Sequence, residues 1–163
     1  MGFKETYESI KQDIKNGEKN FNVQIEQQPD GSFKATMGAK PHTIIIDAPP
    51  GLDGTDVGPS PLLIILTAVG GCIAAVTNFW AKIKGLKIDD IKVFSRGHIN
   101  LGGIFGIGDE KPYFDGLKPL VKLKTSEPKE KIDDLMKIVW EKCPIVNNMN
   151  MNSGLEWKYQ TKD

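Results

Sequence analysis

The distribution of apolar residues divides the chain into short amphipathic segments and one long apolar run. Apolar positions at spacings of three and four predict helices over residues 3–15 and 130–142. Alternating apolar and polar positions predict strands over residues 21–27 and 117–124, and β-branched residues predict a short strand over residues 43–47. Further strands are expected over residues 32–37, 88–95 and 155–159. The turn signal Pro29-Asp30-Gly31 should join the first two strands in a hairpin.

The long apolar run extends from Pro61 to Trp80 without a charged residue. It predicts a helix that begins at Pro61 and ends near Lys84, because Gly85 follows. The run is long enough to cross a bilayer, which takes roughly 20 apolar residues. We expect a buried central helix instead, because polar residues and glycines interrupt the run and the sequence has no second run of this kind. The interrupting residues are Thr67, Gly70, Gly71, Thr77 and Asn78.

Two of these interrupting residues, Gly70 and Gly71, lie in the middle of the predicted helix. Each glycine costs a helix about 1 kcal/mol relative to alanine. We therefore expect another backbone or helix to approach closely at this point, beside Cys72.

The order of the elements predicts an α+β fold with antiparallel strand pairing, and not a doubly wound sheet. Because the chain has no internal repeat and no linker, residues 1–163 are expected to form a single domain. The segment 97–116 is the least regular part. Its glycines from Gly102 to Gly108 are followed by charged residues and a proline where a phosphate-binding loop would begin a helix. We therefore interpret it as a flexible hairpin tip or flap.

The charge balance narrows the classes of partner. The chain has 21 basic and 21 acidic residues and no formal net charge, whereas a surface for nucleic acid or anionic membrane needs a clear basic excess. We therefore expect neither a nucleic-acid partner nor a membrane partner. The N-terminus, Met1-Gly2-Phe3-Lys4-Glu5, lacks the apolar core of a signal peptide, which favours a cytoplasmic protein.

The chain has two cysteines, Cys72 within the apolar run and Cys143 directly before Pro144. A structural disulfide is rare in the cytoplasm, so the pair indicates either redox chemistry or plain burial. The residues three and four positions from Cys72 are all apolar, and the helix N-terminus is distant, so any activation of this thiol must come from elsewhere in the fold. If Pro144 begins a helix, Cys143 lies at its positive end, where a thiolate is favoured.

Metal and cofactor chemistry have little support in the sequence. The cysteines form no Cys-x-x-Cys pair and the only imidazoles are those of His42 and His98, so we expect no zinc site. No nucleophile motif surrounds any serine. We expect no cofactor.

Three motifs follow one another along the chain. The first is Asp47-Ala48-Pro49-Pro50, and the second runs from Gly54 to Pro61 as Gly-Thr-Asp-Val-Gly-Pro-Ser-Pro and leads into the apolar helix that contains Cys72. The third is Cys143-Pro144 followed by two aliphatic residues and Asn147. In order and spacing, from about residue 21 to residue 159, they resemble the OsmC/Ohr family of osmotically inducible and organic hydroperoxide resistance proteins.

This resemblance implies an intertwined α+β homodimer in which two long central helices pack against curved antiparallel sheets. It also implies that Cys72 and Cys143 lie close together. In active members the helix cysteine attacks an organic hydroperoxide, becomes a sulfenic acid and condenses with the second cysteine to a disulfide, which a dithiol or a lipoyl protein reduces. Residues 1–16 would be a helical extension of the single domain.

Two charged residues of active family members have no evident counterpart in this chain. Those members carry a glutamate at the start of the central helix, where Leu62 or Leu63 stands, and an arginine in the N-terminal sheet region, whereas the first arginine here is Arg96. Lys40 or His42 would supply a positive charge, but a lysine lacks the planar fork of arginine.

The leading expectation is a thiol-dependent hydroperoxide reductase, a peroxidase that is slow or takes an unusual substrate. The apolar residues 62–66 and the pair Phe79-Trp80 favour a hydrophobic alkyl hydroperoxide over hydrogen peroxide. The alternative is a non-enzymatic member that binds a small apolar or acyl ligand at the dimer pocket, or a redox sensor.

Overall fold

The computed structural model describes residues 2–150 and 158–162. The chain divides into two compact units, Met1–Pro61 and Leu62–Asp163. Each unit contains one three-stranded sheet.

The N-terminal unit contains α1 (Phe3–Gln12), a 3₁₀ turn (Ile14–Gly17) and the strands β1 (Val23–Gln27), β2 (Phe33–Met37) and β3 (His42–Ile46). The strands pair antiparallel in the order β1-β2-β3, which confirms the predicted hairpin and its third strand. The first helix is shorter than predicted. It ends because Asp13 has an extended backbone, and the Asp13 side chain instead accepts a hydrogen bond from the amide of Lys15 in the 3₁₀ turn.

One face of the N-terminal sheet is apolar, and much of it is exposed within the chain although Ala35 at its centre is buried. The register aligns Ile25 with Ala35 and Ile44. Because successive side chains alternate between the two faces, Val23 and Phe33 fall on this same face. Val23, Ile25 and Phe33 are 58%, 53% and 43% exposed. Monomeric soluble proteins rarely leave large continuous apolar patches uncovered.

The loop after β3 is organised around the carboxylate of Asp47. This buried side chain accepts hydrogen bonds from the amides of Ala48, Thr55 and Val57 and from the Thr55 hydroxyl. Burial raises the pKa of the carboxyl, but these hydrogen bonds outweigh burial and hold the pKa of Asp47 below its ordinary value. A Cβ at Gly54 would overlap the carbonyl of Ala48, so the loop tolerates only glycine there. The first two motifs therefore have a structural role in this loop.

The C-terminal unit contains the remaining helices and strands. They are α2 (Pro61–Lys84), β4 (Asp90–Phe94), α3 (Gly102–Phe105), β5 (Leu120–Lys124), α4 (Lys129–Lys142), α5 (Pro144–Asn150) and β6 (Lys158–Lys162). Pro61, the first residue of α2, is the last residue of the N-terminal unit. The apolar helix begins and ends at the residues that the sequence predicts.

Strand pairing in this unit departs from the all-antiparallel expectation. β4 and β5 pair antiparallel, but β5 and β6 pair in parallel. The chain passes through α4 and α5 between β5 and β6, and a parallel pair requires a crossover connection of this kind. The predicted last strand over residues 155–159 lies largely outside the described residues.

The core of the C-terminal unit forms between α2, β5 and α4. α4 contributes four fully buried side chains, Ile132, Leu135, Met136 and Val139. Each such side chain stabilises the fold by about 1.5–3 kcal/mol, more than the few tenths of a kcal/mol of an exposed helical ion pair such as Lys129–Asp133. The same cluster includes Val69, Ile73, Leu117, Val121, Leu123 and Val146.

α2 buries only one of its faces within the chain. Its buried residues are Val69, Gly70, Ile73, Thr77 and Ala81. Leu63 and Phe79 are exposed, and only 22% of an apolar stretch of 18 residues within this helix is buried. By length and composition alone α2 could cross a membrane. The prediction of a buried central helix therefore holds for one face of α2 within a single chain.

The segment 97–116 connects the antiparallel strands β4 and β5, as predicted for a hairpin tip. It contains α3, and a bridge between His98 and Asp115 closes its base. The Nδ1 atom of His98 lies 2.6 Å from the Oδ1 atom of Asp115. Phe114, near the end of the segment, and Leu117, directly after it, are buried and belong to the core.

Gly70 allows α2 to approach β4 closely. A Cβ atom at this position would lie 2.7 Å from Ser95 Oγ and 3.5 Å from Val93 Cγ1. At Gly71 a Cβ atom would meet nothing within 4 Å in the described chain. The expected close approach beside Cys72 is therefore confirmed for Gly70 only.

We predict that Gly70→Ala lowers the free energy of unfolding by about 1–3 kcal/mol, because the strain of displacing Ser95 outweighs the gain of about 1 kcal/mol that alanine brings to a helix. Ser95 Oγ is buried and finds no hydrogen-bond partner among the described residues, so Ser95→Ala alone should be nearly neutral. The double variant should recover most of the loss, because it lacks the clashing oxygen. Urea denaturation of the wild type, the two single variants and the double variant measures these free energies of unfolding. A double variant as unstable as Gly70→Ala would contradict the prediction.

Candidate functional site

The fold brings the two cysteines together. Cys143 Sγ lies 3.2 Å from Cys72 Sγ, although the two residues are 71 positions apart in the chain. Both are free thiols. A disulfide has an S–S length of about 2.05 Å, so this is a reduced pair at hydrogen-bonding distance whose sulfurs need to move only slightly to form a bond.

Cys143 occupies the junction between α4 and α5. Its amide donates to the carbonyl of Val139, which ends α4. Its carbonyl accepts from the amide and the side-chain amide of Asn147, which begins α5. Pro144 lacks an N–H and is favoured at the first position of a helix. The backbone around this sulfur is therefore fixed from both sides.

The two thiols differ in exposure, and the pKa of Cys143 is raised. Cys143 is 0% exposed, whereas Cys72 is partly exposed. Burial raises the pKa of Cys143 to about 11; the contact with Cys72 also raises it, whereas the amides of Val146 and Ile145 lower it. The prediction that the start of α5 favours a thiolate at Cys143 is therefore wrong, because burial outweighs the helix amides. Near neutral pH Cys143 is protonated and donates to Cys72.

An apolar cavity of about 590 Å³ lies in the same unit. Its lining residues come from the start of α2, the end of the segment 97–116 and α5. They are Leu62, Ile65, Pro112, Tyr113, Phe114, Leu117, Asn148 and Met149. Ile65 precedes Cys72 by seven residues, which is two helical turns, so both side chains lie on the same face of α2. The cavity is thus lined by the helix that carries Cys72 and by the helix that follows Cys143.

The sequence identified only part of this cavity. Leu62 and Ile65 belong to the apolar stretch expected to contact a substrate, but Phe79 and Trp80 do not line the cavity and instead contact each other edge to face. The wall formed by residues 112–114 was missed. Its signal is an apolar and aromatic triplet, Pro-Tyr-Phe, directly after a glycine-rich and charged stretch.

The structure also shows where the residues lie that were considered as counterparts of the family's glutamate and arginine. Leu62 lines the cavity and Leu63 is exposed. Lys40 and His42 are exposed residues of the N-terminal unit, in the turn before β3 and at the first position of β3.

Comparison with known proteins assigns the class. The family model described as OsmC-like protein matches residues 53–158, which is most of the chain. The chain therefore belongs to the OsmC-like family. No curated protein matches the chain in sequence.

Solved structures have the same fold at low sequence identity. An OsmC-like protein from Mycoplasma pneumoniae is 18% identical, with a TM-score of 0.72 over 89% of this chain and 97% of that one. An organic hydroperoxide resistance protein from Elizabethkingia anophelis is 14% identical, with a TM-score of 0.68 over 89% and 99%. An organic hydroperoxide resistance protein OsmC from Legionella pneumophila is 13% identical, with a TM-score of 0.62 over 87% and 97%.

We predict that iodoacetamide modifies Cys72 much faster than Cys143 near neutral pH. The thiolate is the reactive form, and Cys143 is fully buried with its pKa raised to about 11. Labelling of Cys143 should rise only as the pH approaches that value. Peptide mass spectrometry of the wild type measures both rates, and Cys72→Ser serves as the control for Cys143 alone. Equal labelling of the two thiols near neutral pH would contradict the assignment.

Proposed function

We propose that this protein is a thiol-dependent hydroperoxide reductase in which Cys72 and Cys143 cycle between the dithiol and the disulfide. The observation that carries the proposal is the 3.2 Å separation of the two sulfurs in a member of the OsmC-like family.

The difference in exposure supports the assignment of roles. Cys72 is a partly exposed residue that a peroxide can approach, whereas Cys143 is fully buried. The S–H of Cys143 donates toward Cys72 Sγ, which places the buried sulfur where it can attack an oxidised Cys72. Cys72 is therefore the attacking thiol and Cys143 the resolving thiol.

The proposed reaction has three steps. The Cys72 thiolate attacks one oxygen of the hydroperoxide, the O–O bond breaks, and the alcohol leaves with a proton while Cys72 becomes a sulfenic acid. The sulfur of Cys143 then attacks Cys72, its proton and the departing hydroxide form water, and a disulfide results. An external dithiol or lipoyl protein reduces this disulfide and is itself oxidised.

The proposed substrate is an apolar organic hydroperoxide. The support is the cavity of about 590 Å³, whose lining is apolar apart from the polar groups of Tyr113 and Asn148. A cavity of this size suits an alkyl or aryl group. Structural neighbours from Elizabethkingia anophelis and Legionella pneumophila are named organic hydroperoxide resistance proteins.

The proposed rate is slow relative to family members that have both charged activators. The helix start carries Leu62 and Leu63 where a glutamate is expected, and no arginine precedes Arg96. One pKa unit of lost thiolate stabilisation corresponds to about 1.4 kcal/mol.

The second candidate function is binding of a small apolar or acyl ligand without catalysis, or redox sensing. The same apolar cavity favours it, because a ligand could occupy the cavity without reaching either sulfur. The two candidate functions differ in one outcome: a reductase oxidises its thiols to a disulfide when it meets a hydroperoxide, whereas a binding protein leaves them unchanged.

We predict that cumene hydroperoxide oxidises the reduced protein to the disulfide, with the loss of two hydrogens in the intact mass. Cys72→Ser should abolish the change, because it lacks the attacking sulfur. Hydrogen peroxide at equal concentration should react more slowly, because it has no apolar group to bind. Thiols that stay unchanged after prolonged exposure would exclude the reductase and favour the binding protein.

Cys143→Ser should accumulate sulfenic acid at Cys72, because no resolving thiol remains, and dimedone should trap it. This variant separates the two roles without changing the attacking residue. The assignment would be reversed if dimedone labelled Cys143 in the Cys72→Ser variant as fast as it labels Cys72 in the Cys143→Ser variant.

We also propose that the protein acts as a homodimer in the cytoplasm. The support is the exposed apolar face of the N-terminal sheet, the exposed Leu63 and Phe79 of α2, and the absence of a net charge that would oppose association. A second copy of the chain would cover these apolar surfaces.

We predict a particle of twice the 18.0 kDa chain mass in light scattering coupled to size-exclusion chromatography. Ile25→Lys should shift it toward the monomer, because it places a charge in the apolar face of the N-terminal sheet. The matched control is Gln24→Lys, which adds the same charge to the opposite face of the same strand. A monomeric wild-type protein would exclude the homodimer.

A further inference from the structure

Asn147 joins the end of α4 to the residue that carries the second sulfur. Its side-chain amide donates to the carbonyl of Glu141 at 3.1 Å and to the carbonyl of Cys143 at 2.8 Å. These two hydrogen bonds are called the Asn147 bridge below. We propose that Asn147 is a positioning residue for disulfide closure, because the bridge holds Cys143 in the place from which its sulfur attacks Cys72.

A single residue, Cys143, separates α4 from α5. Its backbone is extended, with φ −73° and ψ 114°, so the chain changes direction there. Pro144 has no N–H that could continue the hydrogen bonds of α4, so carbonyl groups at the end of α4 need donors from elsewhere. A change in the two backbone angles of this one residue would move its sulfur relative to Cys72.

The side chain of Asn147 supplies the missing donors. A primary amide has two N–H groups, which matches the two hydrogen bonds of the bridge. The carbonyl of Cys143 also accepts from the backbone amide of Asn147 at 3.0 Å, so α5 binds this carbonyl twice. Because the bridge connects a carbonyl within α4 to the carbonyl of the junction residue, it resists any change in the backbone angles between them.

The direction of the Cys143 sulfur depends on this backbone. The amides of Ile145 and Val146 donate toward the sulfur, and its S–H donates toward Cys72 Sγ at 3.2 Å. A disulfide of about 2.05 Å requires the two sulfurs to come about 1 Å closer. An error of this size in the placement of reacting atoms costs roughly a hundredfold in rate. Closure is therefore sensitive to small movements of the junction.

The bridge should affect closure and not the first attack, given the roles proposed above for the two thiols. In closure the sulfur of Cys143 attacks the sulfur of the Cys72 sulfenic acid. The S–S bond forms, the S–O bond breaks, and the departing hydroxide takes the proton of the Cys143 thiol to form water. The first attack involves Cys72, which lies on α2 and takes no part in the bridge. Loss of the bridge should therefore slow the second step alone.

The test uses dithiodipyridine, so it does not depend on hydroperoxide chemistry. The reduced, full-length protein displaces one thiopyridone when Cys72 forms a mixed disulfide with the reagent. It displaces a second when Cys143 attacks that mixed disulfide and closes the protein disulfide. Stopped-flow absorbance follows both releases. The first phase depends on the reagent concentration and the second does not, so the two phases are assigned without further assumptions.

We expect Asn147→Leu to slow the second phase by about tenfold or more and to leave the first within about twofold of the wild type. Asn147 is exposed and leucine is a good helix former, so α5 should keep its structure. Asn147→Ser should recover part of the rate, because a helical serine hydroxyl donates to the carbonyl four residues earlier, which is that of Cys143.

The matched control is Glu141→Leu, which places the same residue at the other end of the bridge and keeps the carbonyl that Asn147 binds. Glu141 is exposed, and the second phase of this variant should stay within about twofold of the wild type. Loss of a negative charge near Cys143 favours a thiolate, so the charge change itself should not slow closure.

Several results would overturn the proposal. Equal slowing of both phases by Asn147→Leu would show that Asn147 only supports the fold. An unchanged second phase in Asn147→Leu, or equal slowing by Glu141→Leu, would remove the bridge from the mechanism. So would an Asn147→Ser variant as slow as Asn147→Leu, or a wild-type protein that releases only one thiopyridone.

Urea denaturation of each variant reports whether it folds. If Asn147→Leu does not fold, Asn147→Ser still decides, because it should slow the second phase selectively and an unchanged phase would overturn the proposal. If cumene hydroperoxide leaves the wild-type thiols unchanged, the reductase is excluded, while the thiopyridone phases still measure the bridge. If Asn147→Leu closes its disulfide at the wild-type rate, the bridge is excluded, while the reaction with cumene hydroperoxide still tests the reductase.

Discussion

The packing of α2 against the core of the C-terminal unit is the constraint on which the rest depends. Val69 and Ile73 are buried on either side of Cys72, and α4 contributes Leu135 and Val139 to the same cluster. This core holds the end of α4, and therefore Cys143, beside the middle of α2. The 3.2 Å separation of the sulfurs is thus a product of apolar burial and not of any local sequence element.

The same burial makes the two thiols chemically different. A symmetric pair would compete for the same proton, whereas here one sulfur is sealed in the core with its pKa raised to about 11 and the other is partly open. The core therefore fixes which thiol donates and which accepts. In contrast, the motif around Asp47 is structural: its buried carboxylate is fully used by the amides of its own loop.

Sequence patterns predicted the elements whose boundaries have sharp chemical causes. α2 begins at a proline and ends before a glycine, and the apolar spacing of α4 needs no partner to be recognised. The break at Asp13 and the parallel pairing of β6 were missed, because a side-chain cap and a crossover arise only in three dimensions. The proximity of Cys72 and Cys143 came from family resemblance, and the acidity of Cys143 could not be predicted because burial overrides its helix position.

The parallel pairing of β6 with β5 has a consequence for the order in which the chain folds. β4 and β5 are joined by a single hairpin segment and can pair locally, but β6 reaches its place only after α4 and α5 have crossed the sheet. Non-local pairing of this kind is slow, because loop entropy is lost before contacts form. During synthesis on the ribosome, the edge of β5 that pairs with β6 therefore stays open until β6 has emerged. The arrival of β6 beside β5 is then the step that completes the three-stranded sheet.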